Sequence, residues 1–188
     1  MGADRPPEFD VLKAIGDPFE RRLYFAAVLT KYAAERGGQF VIVGGHAVEY
    51  YTGGSYTTGD LDLLTPDKQP LAELLVEWGF QLEGRIYWHA ALQVAVDLIC
   101  DRVPGDWDRI AEVEAFGLRA RIMSVEEMVI DRLNAAIHWR STDDLAWARV
   151  MLTDNLDAVD WDYLSRRAKD EQTTDALARL RREVRGDD

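Results

Sequence analysis

Residues 40–64 read FVIVGGHAVEYYTGGSYTTGDLDLL. The run Phe40 to Val43 is apolar and stops at Gly44-Gly45, a pair that permits a tight strand-to-helix turn and lets backbone N–H groups approach a phosphate. A short amphipathic segment follows, Ala47 to Tyr51, and Gly53-Gly54-Ser55 ends it. Tyr56 to Gly59 then leads into a second strand carrying Asp60 and Asp62. Successive strand side chains point to opposite faces, so these two acids share one face and Leu61 and Leu63 the other. Two carboxylates side by side repel each other, and a cation relieves that repulsion.

The same alternation applies to Leu92–Cys100. Val94, Val96 and Leu98 fall on one face, and Gln93, Ala95 and Asp97 on the other. An acid inside so apolar a strand needs a partner; the alternative is a solvent-facing carboxylate on a half-exposed strand. Arg85 to Ala90 reads as the strand before it, and Leu118 to Met123 as a later one.

The ordered set Gly44-Gly45, Asp60-Leu61-Asp62 and a later Asp97 resembles the signature of the nucleotidyltransferase superfamily typified by DNA polymerase β. In detail, GGHAV…TTGDLDLL is most similar to the abortive-infection and toxin–antitoxin type bacterial nucleotidyltransferases. The resemblance implies an α+β fold: a small mixed β-sheet nucleotidyltransferase core flanked by helices, with a C-terminal helical portion. It implies that Asp60, Asp62 and Asp97 are the catalytic acids and hold two Mg²⁺ ions with a bound NTP. Gly44, Gly45 and Thr58 would then lie against the nucleotide. Many relatives carry an Arg where Tyr56 stands, so a phosphate contact from that position is not expected here. His46, beside the glycine pair, reads as a local hydrogen-bonding residue or a catalyst.

Further along, EEMVIDRL…WRSTDDLAWARVML resembles the later half of the same family. There a helix supplies a Lys or Arg before Leu, and an Asp-Leu begins the next helix. Arg132 and Asp144 match those nucleotide-binding positions; the alternative is an Arg–Asp structural pair. Arg in place of the commoner Lys keeps the charge and changes the geometry at a triphosphate.

The remaining segments read as scaffold. Residues 1–16 form an ill-defined arm with one helical turn around Val11 to Ile15. Asp17-Pro18-Phe19-Glu20 carries a capping residue, a proline at the first helical position and a capping-box acid, and opens a helix to about Glu35 that Gly37-Gly38 stops. Lys68 to Trp78 is an amphipathic helix, with Leu71, Leu74, Leu75 and Trp78 on one face. Val103 to Asp106 is a turn. Ser124-Val125-Glu126-Glu127 is a capping box opening a helix to about His138. Asp160 to Val184 makes two helices whose arginines are interleaved with acids. The expected domains are a nucleotidyltransferase-like core over 1–123 and a helical region over 124–188 packed on it.

Composition bounds the function. The 188 residues are 47% hydrophobic and 30% charged, which suits a globular chain with a real core. One cysteine, Cys100, excludes an internal disulfide and suits a reducing compartment; at the end of an apolar strand it reads as a buried structural thiol. No secretory signal and no apolar run near the ~20 residues of a membrane span is present, which points to the cytoplasm. A net charge of −12 argues against gripping duplex DNA. Zinc-ligand spacing, dinucleotide fingerprints and P-loops are absent.

Two functions are consistent with these residues. One is a Mg-dependent enzyme moving a nucleoside monophosphate from an NTP to a hydroxyl of RNA or protein. The other is a catalytically inactive module of the same fold, a partner in a toxin–antitoxin pair, suggested by Tyr56, the acidity and the short chain. A small-molecule nucleotidyltransferase is a third possibility, decided by the acceptor pocket.

Overall fold

The Asp17 carboxylate accepts a hydrogen bond from the Glu20 N–H at 2.8 Å, and helix α2 (Pro18–Ala34) starts there, as its capping sequence predicts. A computed structural model describes residues 5–101 and 109–186; the turn expected at Val103 to Asp106 lies outside them. The chain divides into two units, residues 1–46 with 57–122, and residues 47–56 with 123–188.

Among the described residues, the first unit holds a seven-stranded mixed sheet. Its strands are β1 (Val41–Val43), β2 (Leu61–Thr65), β3 (Gln81–Glu83), β4 (Ile86–His89), β5 (Val94–Cys100), β6 (Ala111–Ala115) and β7 (Leu118–Ile122), in the order β3-β4-β5-β2-β1-β7-β6. β2 runs parallel to β5 and antiparallel to β1; β1 runs parallel to β7. This is the mixed sheet with helices that the α+β expectation describes.

Helix α2 packs on β7 and β6 and also meets α1 (Glu8–Ala14) and α4 (Gln69–Glu77). With cover on several sides, every residue from Arg22 to Leu29 is buried, a wider contact than the single apolar face read from its sequence. One consequence is a buried Arg22, whose Nε donates to His46 Nδ1 at 3.3 Å.

Two local expectations are corrected, and two strands are added. The N-terminal arm is a defined helix, α1, because Phe9 and Leu12 are fully buried and Phe9 meets Trp78 edge-on at 5.4 Å. Burying two such side chains contributes roughly 1.5–3 kcal/mol each. Lys31 and Tyr32 also hold Glu8, at 2.7 and 3.0 Å. Strands β3 and β6 are additions to the sequence reading: β3 is only three residues long, β6 alternates Ala111, Val113 and Ala115 with Glu112 and Glu114, and they pair antiparallel with β4 and β7. Finally, Cys100 is exposed, because burial lapses over the last two residues of β5.

The second unit is helical. Helix α5 (Val125–His138) starts at Ser124, whose hydroxyl accepts from the Glu127 N–H, and it packs against α6 (Thr142–Asp154) and α7 (Trp161–Asp170). Helix α8 (Thr174–Arg185) meets α6 and α7. Buried Glu127 accepts from Tyr163 Oη and Arg167 Nε, both at 2.6 Å, so its charge is paired. Segment 47–56 is held here by hydrogen bonds from Tyr51 Oη to the Met123 carbonyl and from Asn155 Nδ2 to the Tyr51 carbonyl, each 2.8 Å. Among the described residues, no helix is long and apolar enough to cross a membrane.

Candidate functional site

Val43, the last residue of β1, pairs with Asp62 on β2, so the chain leaves the sheet beside that carboxylate. Gly44 follows at φ +60°, and any side chain built there would run into the Asp62 carboxylate. Both the backbone angle and the space therefore require glycine. Helix α3 (Gly44–Tyr51) begins at this turn, and the Gly45 N–H donates to Asp62 Oδ2 at 3.3 Å. A side chain on Gly45 would press on Thr58, whose hydroxyl donates to Asp60 Oδ1 at 3.0 Å. The two glycines thus clear room for the acids of the next strand.

Asp62 and Asp97 are register partners on the parallel strands β2 and β5 and share a face of the sheet. Asp60 lies one residue before β2 begins. Burial raises the Asp62 pKa from its ordinary value, and the negative charges of Asp60 and Asp97 push it the same way; the Gly45 N–H and the Arg85 charge pull against them. Asp60 and Asp97 are therefore both near enough to act on Asp62. Asp97 is buried and not solvent-facing, and its Oδ2 lies 3.0 Å from Arg85 Nε.

The donor set suits a hard cation: three carboxylates and no sulfur or imidazole. The mutual repulsion at Asp62 is what a divalent ion would relieve, and Arg85 already supplies a positive charge at Asp97. Among the described residues, no three acidic, His or Cys side chains are drawn into an ion-holding arrangement.

His46, also next to the glycine turn, is fully buried, accepts from Arg22 and packs on the Phe19 ring at 4.9 Å. Burial, and then the Arg22 charge, lower its pKa to about 3. It is neutral near pH 7, accepts a hydrogen bond at Nδ1, and is poorly suited to carrying protons.

Arg132 and Asp144 belong to the second unit, on α5 and α6. They pair with each other: Arg132 Nη1 donates to Asp144 Oδ1 at 2.7 Å, with the side chains 17% and 20% exposed. Burial works to raise the Asp144 pKa, but hydrogen bonds with Ser141 and Arg132 and the Arg132 charge bring it below the usual value. The Arg132 Nε is buried and has no hydrogen-bond partner among the described residues. Tyr56, also in this unit, stands edge-on to Trp147 at 5.0 Å.

Arg85 is the residue that the sequence reading missed. It looked like the start of a strand, and nothing local ties it to Asp97. Only the antiparallel register, which sets Ile86 opposite Asp97, brings it there.

No family model matches this chain, and no curated protein does. Among solved structures, it is similar to an antigenic nucleotidyltransferase-like protein from Paracoccidioides brasiliensis, at 16% identity over 89% of each chain, with a TM-score of 0.64. It is also similar to the antibiotic-resistance factor ANT(2'')-Ia, at 18% identity over 86% of this chain and 96% of that one, with a TM-score of 0.51. Identities this low speak to fold, and the fold is that of the nucleotidyltransferases.

Proposed function

We propose that this protein is a Mg-dependent nucleotidyltransferase that moves a nucleoside monophosphate from an NTP to a hydroxyl of an RNA or protein acceptor in the cytoplasm. The observation that carries the reading is the side-by-side placement of Asp62 and Asp97, with Asp60 near enough to raise the Asp62 pKa.

Asp60, Asp62 and Asp97 would hold the Mg²⁺. Bound there, Mg²⁺ supplies charge neutralisation on the triphosphate and lowers the pKa of an attacking hydroxyl. The chain's own residues position the acids. Thr58 orients Asp60 through its hydroxyl, and the Gly45 N–H fixes Asp62. The glycine turn keeps side chains out of the space around both. At Gly44-Gly45 the N-terminal end of α3 offers N–H groups and a positive dipole end suited to phosphate oxygens. Arg132 is assigned to the nucleotide phosphates, oriented by Asp144. Phosphoryl-group transfer depends chiefly on positioning and charge stabilisation, so a site of this economy is sufficient.

Incubation of the purified protein with labelled NTPs, Mg²⁺ and a cell extract tests the proposal. Label should appear in RNA or protein and vanish in an Asp60→Asn, Asp62→Asn variant. Label unchanged in that variant counts against it. Label found only in a small-molecule fraction would redirect the acceptor, in keeping with the antibiotic-resistance role named for ANT(2'')-Ia.

A second reading is a catalytically inactive nucleotidyltransferase-fold module, such as one half of a toxin–antitoxin pair. The Arg85–Asp97 ion pair favours it, since it satisfies the third acid without any metal. Calorimetry separates the two: an enzyme binds a non-hydrolysable NTP with millimolar Mg²⁺, whereas the module binds neither and takes a tight protein partner.

A further inference from the structure

The β3–β4 hairpin turns on two residues, Gly84 and Arg85, with Glu83 and Ile86 paired across the turn. Gly84 takes φ +64°, which the first central residue of a favoured two-residue hairpin turn requires. Arg85 follows immediately, and its neighbour Ile86 is the antiparallel register partner of Asp97. The turn therefore delivers a long cationic side chain to the most buried acid of the cluster, with 3.0 Å between Arg85 Nε and Asp97 Oδ2.

The two ends of this ion pair are unequal. The Asp97 side chain is 8% exposed and that of Arg85 81% exposed. A carboxylate so buried is costly without a cation, and removing its partner leaves an uncompensated charge. A guanidinium so exposed regains water readily and is held only weakly. The Arg85 charge also reaches Asp62, where it opposes the effect of the other two acids. One detachable side chain thus offsets negative charge at two of the three acids.

We propose that Arg85 is the resident counter-cation of the acid cluster: it occupies Asp97 in the metal-free protein and gives way when a divalent cation binds. This rests on the reading of Asp60, Asp62 and Asp97 as the ion-holding groups. Arg85 and the ion compete for the same carboxylate, so Arg85 sets the affinity for the ion and offsets the Asp97 charge without it. A divalent ion carries twice the charge, but it must displace a partner already in place.

The test measures Mg²⁺ binding, not turnover. Wild-type protein, Arg85→Ala and Arg85→Lys are titrated with Mg²⁺ by calorimetry, and the Arg85 Nε–H resonance of the wild type is followed by NMR over the same range. The Arg85→Ala variant is expected to bind Mg²⁺ roughly tenfold more tightly, a gain of about 1.4 kcal/mol. The Arg85→Lys variant should fall between the two. The Nε–H resonance should move towards the position of a solvent-exposed arginine as the ion saturates. Equal affinity of wild type and Arg85→Ala, or an Nε–H signal unmoved at saturation, overturns this inference and leaves the acids as ion ligands. Absence of Mg²⁺ binding in all three proteins overturns the reading of the acids, and this inference with it. Should the alanine variant misfold, the wild-type resonance alone still decides.

Discussion

Asp62 on β2 and Asp97 on β5 are direct register partners on parallel strands, although separate segments of the chain supply them. Their shared face concentrates negative charge where burial already disfavours it, and the raised Asp62 pKa is the result. A protein that keeps such an arrangement gives up stability at that point, and its functional residues can be found by looking for that cost.

Asp62→Asn should therefore abolish nucleotidyl transfer while raising the melting temperature at pH 7. The sign follows from linkage. An acid whose folded pKa is raised costs nothing below its unfolded pKa, and the cost grows as pH rises through the carboxylate range. Melts of both proteins at pH 3 and pH 7 check this: the gain belongs to pH 7 and disappears at pH 3. A variant less stable than wild type at both pH values would contradict the repulsive account.

Gly44→Ala and Gly53→Ala make a matched pair. Both glycines have positive φ, +60° and +55°, but only Gly44 faces a neighbour, the Asp62 carboxylate, while the space around Gly53 is open. Backbone strain alone should cost about 1 kcal/mol at either position. Gly44→Ala should cost about 1–3 kcal/mol more, because Asp62 must move. Urea denaturation measures the difference, and activity should fall only in the Gly44 variant.

The Arg132–Asp144 pair predicts a coupling of about 1–2 kcal/mol in a double-mutant cycle at pH 7, given its 2.7 Å bond and partial burial. Asp144 has a lowered folded pKa, so its contribution is present above the unfolded carboxylate pKa and lost as pH falls through the folded value. The coupling should shrink as pH falls below the ordinary carboxylate value and vanish once Asp144 is protonated in the folded protein. If Arg132 also meets triphosphate, Arg132→Ala should weaken NTP binding beyond what its stability loss explains; unchanged binding would return the pair to scaffold.

His46 should not titrate in the folded protein between pH 5 and 8, because its pKa is lowered to about 3. The unfolded chain takes up that proton near the ordinary value of 6.5. Stability is then undiminished above that value and falls by at most about 1.4 kcal/mol per pH unit below it. Imidazole NMR signals that shift near pH 6.5 without unfolding would refute the buried, neutral assignment.

The elements that the sequence placed well have their causes close by in the chain. Asp17 caps Glu20, Ser124 caps Glu127, and Gly44 turns directly after Val43. Each depends on neighbours within three or four residues, so each can be read without knowing the fold. The strand at Leu92–Cys100 was legible for the same reason, because alternation with period two is written in consecutive residues. Where the sequence reading went astray, the cause lay at long range. Helix α1 exists because Phe9 reaches Trp78, and Cys100 is exposed because cover ends before β5 does.

The sequence by itself determined the glycine turn, the spacing of Asp60 and Asp62, and an acid stranded in an apolar strand, since adjacent residues and strand alternation specify all three. Only the tertiary structure decided that Asp97 stands beside Asp62, that Arg85 rather than solvent meets it, and that His46 is sealed against Arg22. Those outcomes depend on which strands become neighbours and in what register, and side chains brought together across a sheet leave no periodic trace in the chain.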